Sequence, residues 1–326
     1  MDIRSPVSLK QAASQALARG REPQKVITTY TGALILISAA LTLVNFLLDL
    51  QLQDTGGLSN LGTHSILATV QTFLPIVQAF FTLGLEFGYL YAMLRIARGQ
   101  YADHTDLKEG FRRFGPVLRL ILLQSLLFIA IGLAVFYISM QIFLMTPWGA
   151  PVIELLMPTI MSGSTVLDEA TALQAGALMT PMYIIFVLLF AAVSIPLLLR
   201  LRMASYALLD DSKAGAMAAL RASWRMMRRN CLRTLMLDIS FWWFYILQVF
   251  ATALCYGDTI CALLGVQLPL NPTVSFYLFY VLYLAVLFAI NYFFRNYLET
   301  SYIMAYETLH EKPKDNAVVL GNIFDM

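Results

Sequence analysis

The sequence predicts an all-α, polytopic integral membrane protein with about six transmembrane helices plus short amphipathic helices at the membrane surface. Three observations predict it. Of the 326 residues, 59% are hydrophobic and only 13% charged, whereas soluble domains are roughly 45–50% apolar and about 25% charged. Six stretches reach the ~20 mostly apolar residues that a spanning helix needs. The 22 Lys and Arg residues crowd into alternate connections between those stretches, so their placement says more than the net charge of +2.

Taken in order, residues 1–25 are polar and basic, without the apolar core or small-residue cleavage site of a signal peptide. A helix over Ser8–Ala18 aligns Leu9, Ala12, Ala13, Ala16 and Leu17 on one face and reads as a surface helix; a disordered tail is the alternative. The six spans are Thr29–Leu50, Ile66–Ile96, Val117–Met145, Met179–Leu201, Leu232–Tyr256 and Val274–Phe294. Before the third, Asp106-Leu107-Lys108-Glu109 has capping-box spacing with Asp106 as the cap, and Leu107, Phe111 and Phe114 supply an apolar face. The connection Thr146–Leu178 is broken by Pro147, Pro151, Pro158 and Gly163, with Ile153–Met157 dipping into the interface. After the turn at Asp210-Asp211-Ser212, a basic helix runs over Lys213–Asn230. Met217, Leu220, Trp224 and Met227 form its apolar stripe and Arg221, Arg225, Arg228 and Arg229 the adjacent one. That pattern places the helix on a membrane surface with its arginines among lipid phosphates.

Orientation follows from the same residues. Every Lys and Arg precedes the first span, flanks the second or fourth connection, or follows the end of the last span; the other three connections carry only acidic charges. The positive-inside rule then puts both termini in the cytoplasm. Trp148, Tyr183, Tyr256, Phe276 and Tyr277 mark the outer interface, and Tyr101, Trp224, Tyr297 and Tyr302 the inner one. The organisation is a single transmembrane domain, residues 1–311, with a polar, disordered cytoplasmic tail over 312–326. Within it, units over about 8–96, 105–209 and 212–310 repeat one pattern: surface helix, span out, span back. Chance recurrence among hairpins is the rival reading.

Three places carry a resemblance to a known family. They are Gly88-Tyr89-Leu90 through Arg98-Gly99-Gln100 to Asp106-Leu107 and Phe111; Ala219-Leu220 and Ser223 through Met227 and Asn230; and Leu237-Asp238-Ile239-Ser240-Phe241-Trp242. The chain resembles a bacterial membrane family known as domain of unknown function 975. Its layout is also similar to the membrane part of some glycerophosphodiester phosphodiesterases, whose catalysis belongs to a separate soluble barrel. The resemblance implies a fold and a bacterial cell-membrane location and brings no activity. Asp238 departs from it, since a less charged residue is expected there.

The residues themselves point to polar sites inside the membrane. Gln71, Gln78, Thr82, Glu86 and Tyr89 share one stripe of the second span. An ionisable group at that depth faces the bundle interior. Glu86 reads either as a structural ion pair with an inner-edge arginine such as Arg200, or as part of a hydrophilic pathway or lipid-headgroup groove. Gly84 and Gly88 form a G-x-x-x-G on the opposite face, suited to close packing within the chain rather than to dimerisation. Asp238, Asn291, Arg295 and Glu299 with Glu86 form an inner-leaflet polar layer, with Arg295 and Glu299 paired at a spacing of four. Cys255 and Cys261 are read as unpaired small residues in preference to a disulfide. No Walker loop, dinucleotide fingerprint, H-E-x-x-H or G-x-S-x-G occurs. The expectation is a non-enzymatic protein without cofactor or metal. It binds anionic membrane lipids or a partner membrane protein, and no nucleic acid. Transport, channel activity or lipid movement along the Glu86 stripe is the alternative.

Overall fold

The structure is a computed structural model, described for residues 5–20, 23–54, 61–161, 169–211, 215–263 and 272–324. Among these residues the regular elements are all helical. They are α1 (Pro6–Arg19), α2 (Pro23–Asp54), α3 (Leu61–Ala97), a 3-10 turn (His104–Leu107) leading into α4 (Lys108–Arg112), α5 (Phe114–Met145), α6 (Gly149–Met161), α7 (Glu169–Leu178), α8 (Thr180–Leu201) and α9 (Ala204–Asp210). There follow α10 (Ala216–Met227), α11 (Cys231–Ser240), α12 (Trp242–Cys255), α13 (Gly257–Leu263), α14 (Pro272–Ile290), a π turn (Asn291–Arg295) and α15 (Asn296–Phe324).

Five stretches are long and apolar enough to cross a membrane: Pro23–Leu48, Thr69–Ala97, Phe114–Met145, Thr180–Asp210 and Val274–His310. The sixth is broken. α11 and α12 meet at 59°, where the predicted span Leu232–Tyr256 was continuous. The reason is Phe241, which is only 1% exposed. Its ring packs on Trp243, Tyr297 and Tyr302, an anchorage that holds the non-helical backbone at the break. Each stretch also turns apolar side chains outward: Leu36, Ile76, Leu126, Leu188, Val249 and Val281 are each at least 60% exposed. Such surface is costly in water and at ease in hydrocarbon.

The chain forms two compact units, Met1–Val117 with Met203–Met326, and Leu118–Arg202. In the second, Phe143, Val152 and Met182 form the core, with Met140, Leu178 and Met179 against it. The segment read as a broken loop is largely helical there (α6 and α7), and Pro151 sits in the first turn of α6, where its missing N–H costs nothing.

In the first unit, Ser5 caps α1 and Leu9 and Ala13 are buried, so this segment is a helix packed against the unit and not a disordered tail. The Lys10 ammonium donates to the Ser240 carbonyl at 2.8 Å and lies 4.0 Å over the Phe241 ring. It therefore neutralises the carbonyl end of α11 at the break. The capping box lies three residues earlier than expected: Asp103 is the cap, and Asp106 accepts its N–H at 3.0 Å. Asp106 also pairs with Arg95 at 2.7 Å. The G-x-x-x-G face packs within the chain. A Cβ on Gly88 would lie 2.1 Å from the Leu107 carbonyl oxygen, and one on Gly110 would lie 2.0 Å from that of Gly84. Backbone therefore touches backbone where α4 and its leading turn cross α3.

On α10 the stripe buried within the protein is Ala216, Ala219, Ser223 and Met227, so of the apolar stripe Met217, Leu220, Trp224 and Met227 only Met227 is buried there. Small residues let the helix lie close, and Met217 and Trp224 turn outward, 51% and 40% exposed. Tyr302, assigned to the inner interface, is 1% exposed. The tail continues as helix through Phe324 rather than as irregular chain. Cys231, Cys255 and Cys261 are all free thiols.

Candidate functional site

The predicted stripe of α3 faces inward, with Gln71, Gln78, Thr82 and Glu86 half-buried and Tyr89 buried. It meets α2 on one side and the last long helix on the other, and the three together build a ladder of polar contacts.

The outermost rung joins Gln78 Nε2 to Ser38 Oγ (3.3 Å), and Ser38 and Thr42 to the Tyr280 hydroxyl (2.8 and 2.9 Å). The next rung is Glu86. One carboxylate oxygen accepts the Tyr30 hydroxyl and the other pairs with the Arg295 guanidinium. That guanidinium lies 4.9 Å from the Tyr30 ring centre and 5.3 Å from that of Tyr89. The two rings stack on each other at 4.6 Å. The positive charge is thus met by a carboxylate and by aromatic faces, which stabilise cations most where water is scarce. One turn further in, the Tyr89 hydroxyl donates to Asn296 Oδ1 (2.8 Å), and Asn296 Nδ2 donates to the Pro23 carbonyl (3.1 Å).

Two expectations need correction here. The partner of Glu86 is Arg295, where the sequence reading looked to an inner-edge arginine such as Arg200. The direct ion pair of Arg295 is therefore with Glu86, while Glu299 accepts the Tyr206 hydroxyl at 2.9 Å and acts on Arg295 as a nearby charge. The cause is local backbone. Asn291–Arg295 is a π turn with i→i+5 bonds, which re-aims Arg295 relative to a regular four-residue repeat.

Asp238 accepts the Tyr302 hydroxyl at 2.5 Å, and Tyr302 also meets the Tyr245 hydroxyl at 3.0 Å. The last rung joins the Tyr306 hydroxyl to Asp210 at 2.9 Å. Arg98 pairs with both Asp210 (2.6 Å) and Glu307 (2.7 Å); the Asp210 hydrogen bond holds its guanidinium above the usual arginine range. Of the residues expected to share a polar layer, Glu86 and Arg295 are joined directly, while Asp238 and Glu299 are each held by a different tyrosine. A phenol is the neutral donor that suits a carboxylate at such depth, since it satisfies the oxygen without adding a second charge.

Sequence reasoning missed Tyr30, Ser38, Tyr206, Tyr280 and Tyr306. The spacing of Glu299, Tyr302 and Tyr306, three and four apart, was the available signal.

A second feature lies on α10. Arg221, Arg225, Arg228 and Arg229 are all exposed. No carboxylate among the described residues pairs with any of them, whereas Arg95, Arg98, Arg112, Arg113 and Arg295 all have acidic partners. Met217 and Trp224, also exposed, lie on α10 with Arg221 and Arg225, and Arg228 and Arg229 follow in the turn after it.

A family model described as "Protein of unknown function (DUF975)" matches residues 27–313. No curated protein and no solved structure matches the chain, so the likeness in layout to glycerophosphodiester phosphodiesterases draws no support from either comparison.

Proposed function

We propose that this chain, which belongs to the family of proteins of unknown function designated DUF975, is a non-enzymatic membrane-organising or accessory protein of the bacterial cell membrane, binding anionic lipid or a partner membrane protein. The observation that carries the reading is the outer face of α10. Arg221 and Arg225 on the helix and Arg228 and Arg229 in the turn that follows it, without acidic partners among the described residues and next to an exposed tryptophan and methionine, give an amphipathic surface segment between membrane-crossing stretches. The alternation of basic and non-basic connections places this helix and both termini on the cytoplasmic side. At about 1 kcal/mol per basic residue near an anionic surface, the four contribute roughly 4 kcal/mol, on the order of a thousandfold in lipid preference.

Native mass spectrometry of the full chain in mild detergent, titrated with phosphatidylglycerol or phosphatidylcholine, tests this. Wild type retains phosphatidylglycerol preferentially, and a variant with all four arginines changed to Gln loses that preference. Equal retention by both proteins refutes the lipid role of α10. A stoichiometric protein partner without retained lipid favours the accessory arm.

Transport or lipid movement along the Glu86 stripe is the second reading, favoured by the inward-facing ladder. Against it, the Ser38–Gln78 and Tyr30–Glu86 rungs lie eight residues apart on both α2 and α3. At 1.5 Å per residue that is about 12 Å, too far for one rung to hand a polar solute directly to the next.

A further inference from the structure

The π turn leaves three buried polar atoms without protein partners among the described residues: Arg295 Nε, Asn291 Oδ1 and Thr31 Oγ1. Asn291 is 3% exposed and Thr31 1%. Helical register brings them to one place. Thr31, Ser38 and Thr42 are seven and four apart, so they form one stripe of α2. Ser38 and Thr42 both bond Tyr280, so that stripe faces the last helix. Tyr280 and Asn291 are eleven residues apart, about three turns, so Asn291 points back at α2. Asn291 and Arg295 are the first and last residues of the π turn.

A donor (Arg295 Nε–H), an acceptor (Asn291 Oδ1) and a hydroxyl that serves as either therefore converge. Buried polar atoms left unpaired are costly, and a bound water commonly satisfies about three of them at once. Glu86 pairs with Arg295 and the charge of Glu299 also reaches it, which disfavours an anion, while the Arg295 Nε–H donor disfavours a cation; a neutral ligand that both donates and accepts suits the three atoms. The Glu86 and Arg295 side chains beside it are 30% and 18% exposed.

We infer that the π turn builds a water-binding site at membrane depth, in which one or more ordered waters bridge Thr31, Asn291 and Arg295 beside the Glu86–Arg295 pair. The site is independent of the lipid reading of α10, and its test leaves α10 untouched.

Two measurements on the full chain in detergent test it. The first is radiolytic hydroxyl-radical labelling in 18O water. Tyr30 and Tyr89, which flank Arg295, label well above Phe143, which is 1% exposed, and the Thr31→Val/Asn291→Leu double variant loses this labelling. Labelling of both tyrosines at the Phe143 level in wild type overturns the proposal. The second is the unfolding midpoint. Thr31→Val and Asn291→Leu each lower it, because each strands the water and the other group. The double variant falls by less than the sum, since removing both partners is cheaper than removing one. Additive losses overturn the proposal, and the wild-type labelling decides the matter even if a variant does not fold.

Discussion

Glu86→Gln is the substitution that asks most of the ladder. It removes the negative charge from a carboxylate whose two oxygens serve Tyr30 and Arg295. Stranding one member of a buried ion pair costs about 3–5 kcal/mol. Two features reduce that figure here. The pair is only partly enclosed by protein, its side chains 18% and 30% exposed, and the glutamine keeps one acceptor oxygen for Tyr30 or Arg295. The expected loss is about 2–3 kcal/mol. The partner experiment is Glu86→Leu with Arg295→Met, which removes both charges and leaves two apolar side chains; replacing a whole pair is often near neutral. The pair of single variants and the double then form a cycle with a coupling of about 1–3 kcal/mol. The assay is reversible unfolding of the full chain in mixed micelles, followed by tryptophan fluorescence. A Glu86→Gln protein within about 0.5 kcal/mol of wild type would refute the structural account of the pair. If such a protein also lost a cellular phenotype, Glu86 would have to be read as functional instead.

Other perturbations reach different parts of the fold. Gly88→Ala places a methyl group against the Leu107 carbonyl, which cannot give way as a flexible side chain would; the overpacking cost is about 1–3 kcal/mol or more, read as a lower unfolding midpoint, while Gly115→Ala, with open space around it, leaves the midpoint within a degree or two. Lys10→Met removes a charge-assisted hydrogen bond to Ser240 and a cation–π contact on Phe241, a loss of about 1–2 kcal/mol; limited proteolysis near Phe241 should speed up, and an unchanged rate would remove α1 as the clamp on the break. The His104 N–H holds the Asp103 carboxyl below the usual aspartate range. Its folded pKa is depressed, so its contribution is present above the unfolded value of about 3.9 and is lost as pH falls through the lower folded value; helicity followed from pH 6 to 3 should show a step that Asp103→Asn abolishes.

Much of this architecture was legible because it rests on composition and period. The spans, the surface helix before them and the inward stripe from Gln71 to Tyr89 all follow from which residues lipid and interior tolerate. What escaped was set by tertiary contact. Periodicity cannot distinguish a straight span from one bent at Phe241, because the bend is stabilised by Tyr297, Tyr302 and Lys10, all distant in sequence. The side of α10 that packs within the protein was not legible, because Met217 and Trp224 are more hydrophobic than Ala216 and Ala219, yet close packing selects the smaller pair. Arg295 was assigned to Glu299 on a regular helix, and a single π turn was enough to turn it toward Glu86. The tyrosine–carboxylate rungs were hidden for a plainer reason: tyrosine is at home in the core, in the interface and beside an acid, and sequence alone does not choose.

The clamp of α1 on α11 bears on the order in which the protein is made. Lys10 and Ser240 are separated by 230 residues. At translation rates of about 5–20 residues per second, roughly 10–50 s pass between the emergence of the one and of the other. Throughout that interval the apolar face of α1, Leu9 and Ala13, has no final seat, and the cheapest place for it is the bilayer surface. Assembly of the first unit therefore waits for the end of the chain. In the finished fold α1 packs on α15 as well as on α3 and α11, so a truncation that removes α15 would take away part of that seat and leave the first helix more open to proteases.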